Sequence, residues 1–306
     1  MQELSLAAQA QARQFIREKG RPLERALADF HFDGGSSAAV LQALAPYQND
    51  DGGFGNALEP DLRLADSSAI GTSVGFHLLK QVGAPGDSEA VQRGIAYLKA
   101  TFAAEKKVWP IIPPAADGMP RAPWWDYAKS AENFGGFKAN PRADLLASLL
   151  HYAGQVDGAW LQAILDDTLA HLRTESEKID MHDFMCYCSL VQALPAVKAA
   201  PVWDKLAAAA GSVVERDPAK WAGYGARPLG LALAPDTPVA EALGDELLGL
   251  NLDYLVNEQQ EDGSWVPTWS WFGAYDEDWP QARAEWCSRL TLDALLALRA
   301  YGRLES

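Results

Sequence analysis

The amino-acid sequence predicts an all-α single domain in which about six helix pairs form the inner and outer rings of a barrel. Apolar residues recur at three- and four-residue spacing along most of the chain, and no stretch alternates apolar and polar residues as a strand does. A Gly-rich turn motif is also repeated, which is typical of folds built from stacked helical units. With 306 residues, 48% of them hydrophobic, the chain can bury one large core.

The predicted helix pairs follow one another along the whole chain, and no linker divides residues 1–306. Gly20 is suited to ending the first helix and Pro22 to beginning the second. Long connections are expected at 49–66, 104–140 and 258–283, and they would crowd one rim of the barrel. The approximate bounds of the six pairs are 3–30, 36–81, 88–153, 159–194, 199–234 and 240–301. Within the last two pairs, single helices are expected near 225–234 and 240–257.

Composition limits the partners of the protein. A net charge of −15 argues against nucleic-acid binding, which needs a basic face. There is no run of about 18 apolar residues and no apolar signal segment, so we expect no membrane-spanning segment and a cytoplasmic location. The odd number of cysteines predicts reduced thiols rather than a disulfide framework. The three cysteines are Cys186, Cys188 and Cys287.

Two segments carry the same turn motif, in which Gln is followed after three residues by Gly and, two positions later, by an aromatic ring. The copies run from Gln48 to Phe54 and from Gln259 to Trp265, with partial echoes at 93–98 and 134–137. A glutamine side chain can bond the exposed amides of a neighbouring helix, glycine permits the tight turn, and the ring covers the joint. The motif therefore predicts structural staples between repeats rather than catalytic groups.

The second copy, with Tyr254-Leu255 before Gln259 and Gly263-Ser264-Trp265 after it, resembles the QW repeat of squalene and hopene cyclases. The stretch YQNDDGGFGNALEP from Tyr47 is similar to bacterial members of the prenyltransferase and squalene-cyclase repeat family. The resemblance implies an (α/α)6 toroid with a central cavity. The sequence lacks the family's catalytic Asp-x-Asp-Asp and its zinc-binding Asp-x-Cys, so the resemblance does not extend to those reactions.

Segment 265–279 is the first candidate for catalysis because it combines aromatic rings with acids. Rings exclude water and raise the pKa of a nearby carboxyl, as general-acid catalysis at neutral pH requires, and they stabilise carbocations or stack on sugars. Asp276 or Asp278 is therefore a candidate general acid. Alternatively, the rings pack over the rim while the acids stay solvated. The candidate substrate-binding rings in this part of the chain are Trp269, Trp271, Tyr275 and Trp286.

The second candidate lies in the longest loop, where Trp124 and Trp125 precede Asp126 and Tyr127. If both aromatic loops lie on one rim, they would face one cavity and supply two acids. The alternative is a hydrophobic lid that anchors the long loop.

A third group of acids surrounds the first turn motif. Glu59 and Asp61 flank a proline, which makes them a rigid pair and two further candidate catalytic acids. Asp66, before Ser67-Ser68, is interpreted as a helix cap.

One predicted helix carries His182 and Cys186 at four-residue spacing, as a metal-binding pair would. No third soft ligand is evident, so we predict neither a metal nor a cofactor. His182 and Tyr187 are predicted to line the cavity instead, and His77, on an apolar helix face, is interpreted as a core histidine.

Tyr224 and Arg227 precede a predicted inner helix and are also candidate substrate-binding residues. Arg227 could neutralise an anionic substrate group, or it could pair with one of the many acids.

These patterns favour a metal-independent acid/base enzyme that cyclises, isomerises or hydrates and dehydrates a small hydrophobic, isoprenoid substrate. A carbohydrate-active hydrolase or lyase is one alternative, because tryptophans beside paired carboxylates are typical of sugar clefts. A non-catalytic binding module is the other. A closed, ring-lined pocket would favour the first hypothesis, and acids about 5–10 Å apart across an open groove would favour the second. The sequence does not indicate an oligomeric state.

Overall fold

A computed structural model describes residues 1–174 and 179–306, and over these residues the chain is helical, with no β-strand. The all-α prediction is therefore confirmed, although the described residues form fourteen α-helices where about twelve were expected. Residues 175–178, within the fourth predicted pair, lie outside the described residues. The helices are α1 (Leu6–Lys19), α2 (Pro22–Phe32), α3 (Ser37–Leu44), α4 (Ala69–Gln81), α5 (Glu89–Thr101), α6 (Tyr127–Asn133), α7 (Arg142–His151), α8 (Gly158–Thr174), α9 (Met181–Gln192), α10 (Ala196–Val213), α11 (Pro228–Leu231), α12 (Pro238–Leu243), α13 (Asp245–Asn257) and α14 (Trp279–Ala300).

The chain divides into two compact units. Unit 1 comprises Met1–Ser36, Trp203–Ser270 and Asp276–Ser306, and unit 2 comprises Ser37–Val202 and Trp271–Tyr275. In neither unit is any described helix both long and apolar enough to cross a membrane.

Several predicted boundaries are wrong for local reasons. The single helix expected over 240–257 is split into α12 and α13 at Gly244, whose φ of +83° interrupts a right-handed helix. The helix expected over 225–234 is only the short α11. Asp66 does not cap α4. The cap is Ser68, whose Oγ accepts a hydrogen bond from the amide of Gly71 at 3.0 Å.

The turn motif of unit 2 joins α3, α4 and α5. Gln48 Nε2 donates to the carbonyls of Gly52 and Ala90, both at 2.9 Å, and Ala90 lies on α5. The amide of Phe54 donates to Thr72 Oγ1 on α4 at 3.1 Å. Gly52 has a φ of +89°, and a Cβ there would lie 2.2 Å from the Arg93 carbonyl oxygen, so only glycine fits.

The turn motif of unit 1 makes the same bonds. Gln259 Nε2 donates to the carbonyls of Gly263 at 3.0 Å and Ala8 at 2.9 Å, and the amide of Trp265 donates to Thr291 Oγ1 at 3.0 Å. Gly263 again has a φ of +89°. The glutamine was expected to bond helix amides. In both copies it instead donates to two carbonyls, one in the turn and one on a neighbouring helix.

The two ends of the chain meet in unit 1. The Leu4 amide donates to the Arg303 carbonyl at 2.8 Å, and the Glu305 amide donates to the Leu4 carbonyl at 3.0 Å. Arg303 Nη1 also bonds Asp253 Oδ1 at 2.7 Å. Helix α1 therefore occupies, beside the second turn motif, the place that α5 occupies beside the first.

Helix α7 is the centre of unit 2, packed against both α4 and α9. Its residues from Arg142 to Leu149 are all buried. Most of them are aliphatic, and the charged ones are Arg142 and Asp144.

Candidate functional site

The buried acid on α7 is Asp144, which is 6% exposed. His77 Nε2, on α4, lies 2.8 Å from one of its carboxylate oxygens and 2.9 Å from the other. Ser73, one turn earlier on α4, donates its hydroxyl to the same carboxylate. The four-residue spacing of Ser73 and His77 places both on one helix face, so α4 presents two donors to one acceptor on α7.

Asp144 is ionised in this setting. Burial by itself would raise the pKa of its carboxyl, but the charge and hydrogen bond of His77, with contributions from Lys80 and Ser73, hold the pKa well below its usual range. An ionised carboxylate only accepts hydrogen bonds, so the Nε2 atom of His77 carries the proton. The other ring nitrogen, Nδ1, has no hydrogen-bond partner among the described residues, and the side chain is 42% exposed.

This geometry overturns the interpretation of His77 as a core histidine. Its ring is partly open to solvent, and a buried carboxylate fixes its orientation and tautomer. A histidine held in this way can accept a proton at Nδ1 and return it, which is how many enzymes carry out general acid–base catalysis.

The cysteines near Asp144 are poor nucleophiles. Burial raises the pKa of the Cys186 thiol, and the negative charges of Asp144 and Asp183 raise it further. Burial also raises the pKa of Cys188 to about 12. Because the thiolate is the reactive form, the chemistry of this site centres on the imidazole rather than on sulfur.

Unit 1 contains a buried acid with a different role. Glu24 is fully buried at the start of α2, and Arg21 binds both of its oxygens, with Nε at 2.8 Å and Nη2 at 2.6 Å. A guanidinium keeps its proton at all ordinary pH values, so the partner of Glu24 cannot accept and return one. Glu24 is therefore structural, and it provides a natural control for Asp144.

Within unit 2, the two aromatic loops contain residues that meet. Trp271 is 1% exposed and donates its Nε1–H to Asp61 Oδ1 at 2.7 Å. Arg121 Nη1 donates to the Tyr275 hydroxyl at 3.0 Å, and its Nη2 binds Asp117 at 2.9 Å. These contacts fasten segment 271–275 to the loops of unit 2. Glu59 is also buried, and catalytic roles for Glu59 and Asp61 stay a prediction.

The other predicted residues of the longest loop surround α6. Trp125 is buried and stacks on Phe134 with ring centroids 5.2 Å apart, and Trp124 is half-buried. Asp126 caps α6 by accepting from the Lys129 amide at 3.2 Å. Tyr127 lines an open cavity of about 520 Å³ formed by α6 and residues 103–110.

In unit 1, three of the predicted rings lie together. Trp269 meets Trp286 and Tyr224 edge to face, with centroids 5.1 Å and 6.1 Å apart. Arg227 pairs with Glu258 through two bonds of 2.6 Å and 2.8 Å.

The predicted acids of unit 1 lie at its surface. Asp276 is exposed, and Asp278 is half-buried immediately before α14.

The remaining predicted residues lie on α9. His182 Nδ1 lies 3.1 Å from Asp180 Oδ1, and this hydrogen bond lowers the pKa of Asp180 to about 2. Tyr187 is buried. Across residues 1–174 and 179–306, no three ligating side chains converge as a metal site would require.

Sequence reasoning missed Asp144 and Ser73. A signal was present in the sequence, because Asp144 is the one acid in the run RADLLASLL, in which six of the nine residues are alanine or leucine. Its partner could not be identified, since residues 77 and 144 are 67 positions apart and only the packing of α4 on α7 joins them.

No protein-family model matches this chain, and no curated protein matches it. The chemistry of the site must therefore be argued from its geometry.

Proposed function

We propose that this protein is an enzyme that catalyses proton transfer, with His77 as the acid and base and with Asp144 and Ser73 as its positioning residues. The observation that carries this proposal is a half-exposed imidazole held by a buried, ionised carboxylate. Burial of a carboxylate is costly even when it is hydrogen-bonded, and a buried acid with a shifted pKa and a specific charged partner is typical of functional sites.

The reaction class that fits best is dehydration or isomerisation of a small hydrophobic alcohol, such as an isoprenoid. Protonated His77 donates its Nδ1 proton to the hydroxyl, and water leaves with the C–O electron pair. The neutral imidazole then removes a proton from the carbon next to the resulting allylic cation, which forms a C=C bond and restores the imidazolium. The products are a diene and water, and the proton balance closes without an oxidant or reductant.

A hydrophobic substrate is supported by the composition of α7, the helix of Asp144, on which Leu145, Leu146 and Leu149 are also buried. The net charge of −15 agrees with a small-molecule partner rather than a nucleic acid. Proton-transfer roles for the acids predicted from the sequence remain part of the proposal. The double variant Asp276→Ala, Asp278→Ala, in the assay below, tests the first candidate pair of general acids.

The proposal extends to the fold and family. We propose an (α/α)6 toroid of the prenyltransferase and squalene-cyclase repeat family, supported by the matched bonds of Gln48 and Gln259 and by the place of α1 beside the second turn. A crystal structure with one ring of alternating inner and outer helices is the expected result. Two separate helical bundles would contradict it.

The test of function is hydrogen exchange in D2O. The protein is incubated with a panel of isoprenoid alcohols and dienes, and mass spectrometry records products and carbon-bound deuterium. We expect turnover or exchange of at least one compound, reduced at least ~100-fold by His77→Gln, because general acid–base groups contribute about that much or more. Asp144→Asn should also reduce the rate, since the imidazole loses its fixed tautomer.

The matched controls are His171→Gln, a half-buried histidine on α8, and Glu24→Gln, the buried acid of unit 1. The His171 variant should retain the rate, and the Glu24 variant should retain it once folded. Full activity in His77→Gln would contradict the role of His77. Release of reducing sugars from polysaccharides, with no isoprenoid turned over, would contradict the substrate class.

A further inference from the structure

Lys80 is a half-buried cation on α4 that makes no hydrogen bond or ion pair with any residue that the structure describes. Acidic residues outnumber basic ones by 41 to 26 in this chain, so most lysines have acids available to pair with. Burial of an ammonium without a partner is unfavourable. A bound ligand with a negative charge would provide the partner that Lys80 lacks.

The charged groups around Lys80 do not satisfy it. Asp144 is the acid that acts on it, but Ser73 and His77 already bond both carboxylate oxygens. On α7, His151 faces the same region, and its pKa is lowered by burial and by the positive charge of Lys80. Burial lowers the pKa of Lys80 itself, and Asp144 only partly opposes this effect.

The end of helix α4 provides some stabilisation, because Lys80 lies in its last turn and the helix dipole favours a cation there. Lys99 likewise lies in the last turn of α5, but its side chain is exposed. The dipole accounts for a lysine at the surface. It does not account for a half-buried lysine beside a carboxylate whose two oxygens already take part in hydrogen bonds.

Lys80 also lies on the face of α4 that carries the site. Ser73, His77 and Lys80 follow at positions i, i+4 and i+7, which align along one side of a helix. A group bound by Lys80 would therefore lie about one turn, or ~5 Å along the axis, from the imidazole.

We infer that Lys80 binds an oxyanion of the substrate, a carboxylate or a phosphate, one helical turn from His77. This inference rests on the proposed function and narrows its substrate class to hydrophobic molecules that carry an anionic group in addition to the reacting one. Lys80 supplies the charge, and His77 carries out the proton transfer.

The test is binding, which does not depend on turnover. Isothermal titration calorimetry compares octanoate, octyl phosphate and octanol, three probes with the same chain length. We expect at least one anion to bind tenfold or more tightly than octanol, and which one binds identifies the oxyanion. Lys80→Gln should reduce the anion's affinity to that of octanol, whereas Lys80→Arg should retain most of it. The control Lys99→Gln should bind like the wild type.

Equal binding of octanol and both anions, absence of anion binding, or unchanged binding by Lys80→Gln would overturn the inference. His77→Gln separates the two proposals, since it should bind the anion normally while losing hydrogen exchange. Normal exchange in that variant would remove the proposed function and leave the anion site standing.

A measurement on the wild type covers the case in which a Lys80 variant does not fold. Acetylation of lysines is followed by mass spectrometry with and without the tighter anion. Protection of Lys80 but not of Lys99 is expected, and equal rates at Lys80 in both conditions would contradict the inference.

Discussion

At the residue scale, two of the buried acids, Glu24 and Asp144, differ in what stabilises them. Arg21 binds Glu24 with a guanidinium, which never loses its proton, whereas His77 binds Asp144 with an imidazole, whose second ring nitrogen can accept and release one. Both acids are buried at the start of a helix, so burial alone does not identify a site. The chemistry of the partner decides which acid can take part in proton transfer.

The first prediction concerns the stability that Asp144 contributes. Asp144→Asn should lower the free energy of unfolding by about 2–4 kcal/mol at neutral pH, because it leaves His77 and Ser73 facing a weaker acceptor. Urea denaturation followed by circular dichroism measures this. Asp276→Asn, at an exposed acid, should change stability by no more than about 0.5 kcal/mol.

The same variant has a defined pH dependence. The folded pKa of Asp144 lies below its unfolded value of about 3.9, so its stabilisation is fully present above about pH 4 and is lost as the pH falls further toward the folded pKa. The difference in unfolding free energy between wild type and Asp144→Asn should be constant over about pH 5–6 and shrink below about pH 4. A difference that disappears already near pH 6 would mean that the carboxyl is not held ionised.

The second prediction concerns the thiols of α9. Because burial raises the pKa of both Cys186 and Cys188, each should react with a disulfide reagent at mildly alkaline pH at least ~10-fold more slowly in the native protein than in concentrated urea. Mass spectrometry of trapped peptides identifies the sites. Rapid native modification of Cys186 would make that thiol a candidate nucleophile and weaken the case for His77.

At the element scale, the glutamine turn is the feature that the sequence predicts best. Spacing alone located both copies, because glycine is required where φ is near +89° and the side-chain bonds of Gln48 and Gln259 are local to the turn. The predicted partners of the glutamines were wrong, because these side chains donate to carbonyls instead of bonding helix amides. The carbonyls of Ala90 and Ala8 belong to helices that only packing brings close to the turns.

The third prediction follows from the match between the copies. Gln48→Ala and Gln259→Ala each remove two hydrogen bonds and leave two part-buried carbonyls without their side-chain donor, so each should cost about 1–3 kcal/mol in unfolding free energy. Gln14→Ala, at an exposed position of α1, is the control and should cost less than about 0.5 kcal/mol. A large effect at one turn and none at the other would show that the two turns are not equivalent.

The site was less predictable than the turns because its members come from different helices. The sequence identified His77 but gave it a core role, since the apolar face of α4 is visible in the sequence and its partner on α7 is not. Long-range pairs such as Trp271 with Asp61 likewise depend on tertiary packing. Hydrogen bonds within a turn can be predicted from residue spacing, whereas contacts between two helices depend on the packing of the whole core.

At the scale of the whole molecule, the paired chain ends are the informative feature. Leu4 bonds both Arg303 and Glu305, and α1 serves the second turn motif although it lies at the opposite end of the sequence. The sequence predicted helices at both ends but not their pairing, because no local pattern links residues 300 positions apart.

The fourth prediction uses this pairing. A circular permutant that joins Ser306 to Met1 through a short Gly-Ser linker, with new ends between Ala153 and Gly154 in an exposed turn, should fold with stability within about 2 kcal/mol of the wild type. Deletion of residues 302–306 should instead destabilise the protein, since it removes the bonds of Arg303 to Gln2 and Asp253. Urea denaturation compares the three proteins. An unfolded permutant would contradict the pairing of the ends.

The most direct test of the central claim is chemical rescue of His77→Ala. With an isoprenoid substrate found by hydrogen exchange, this variant should lose at least ~100-fold in rate, and free imidazole should restore the rate in proportion to its concentration. Lys80→Gln should show no such response, because its imidazole is intact. If His77→Ala retains the wild-type rate, or loses it without any response to imidazole while remaining folded, His77 is not the group that transfers the proton.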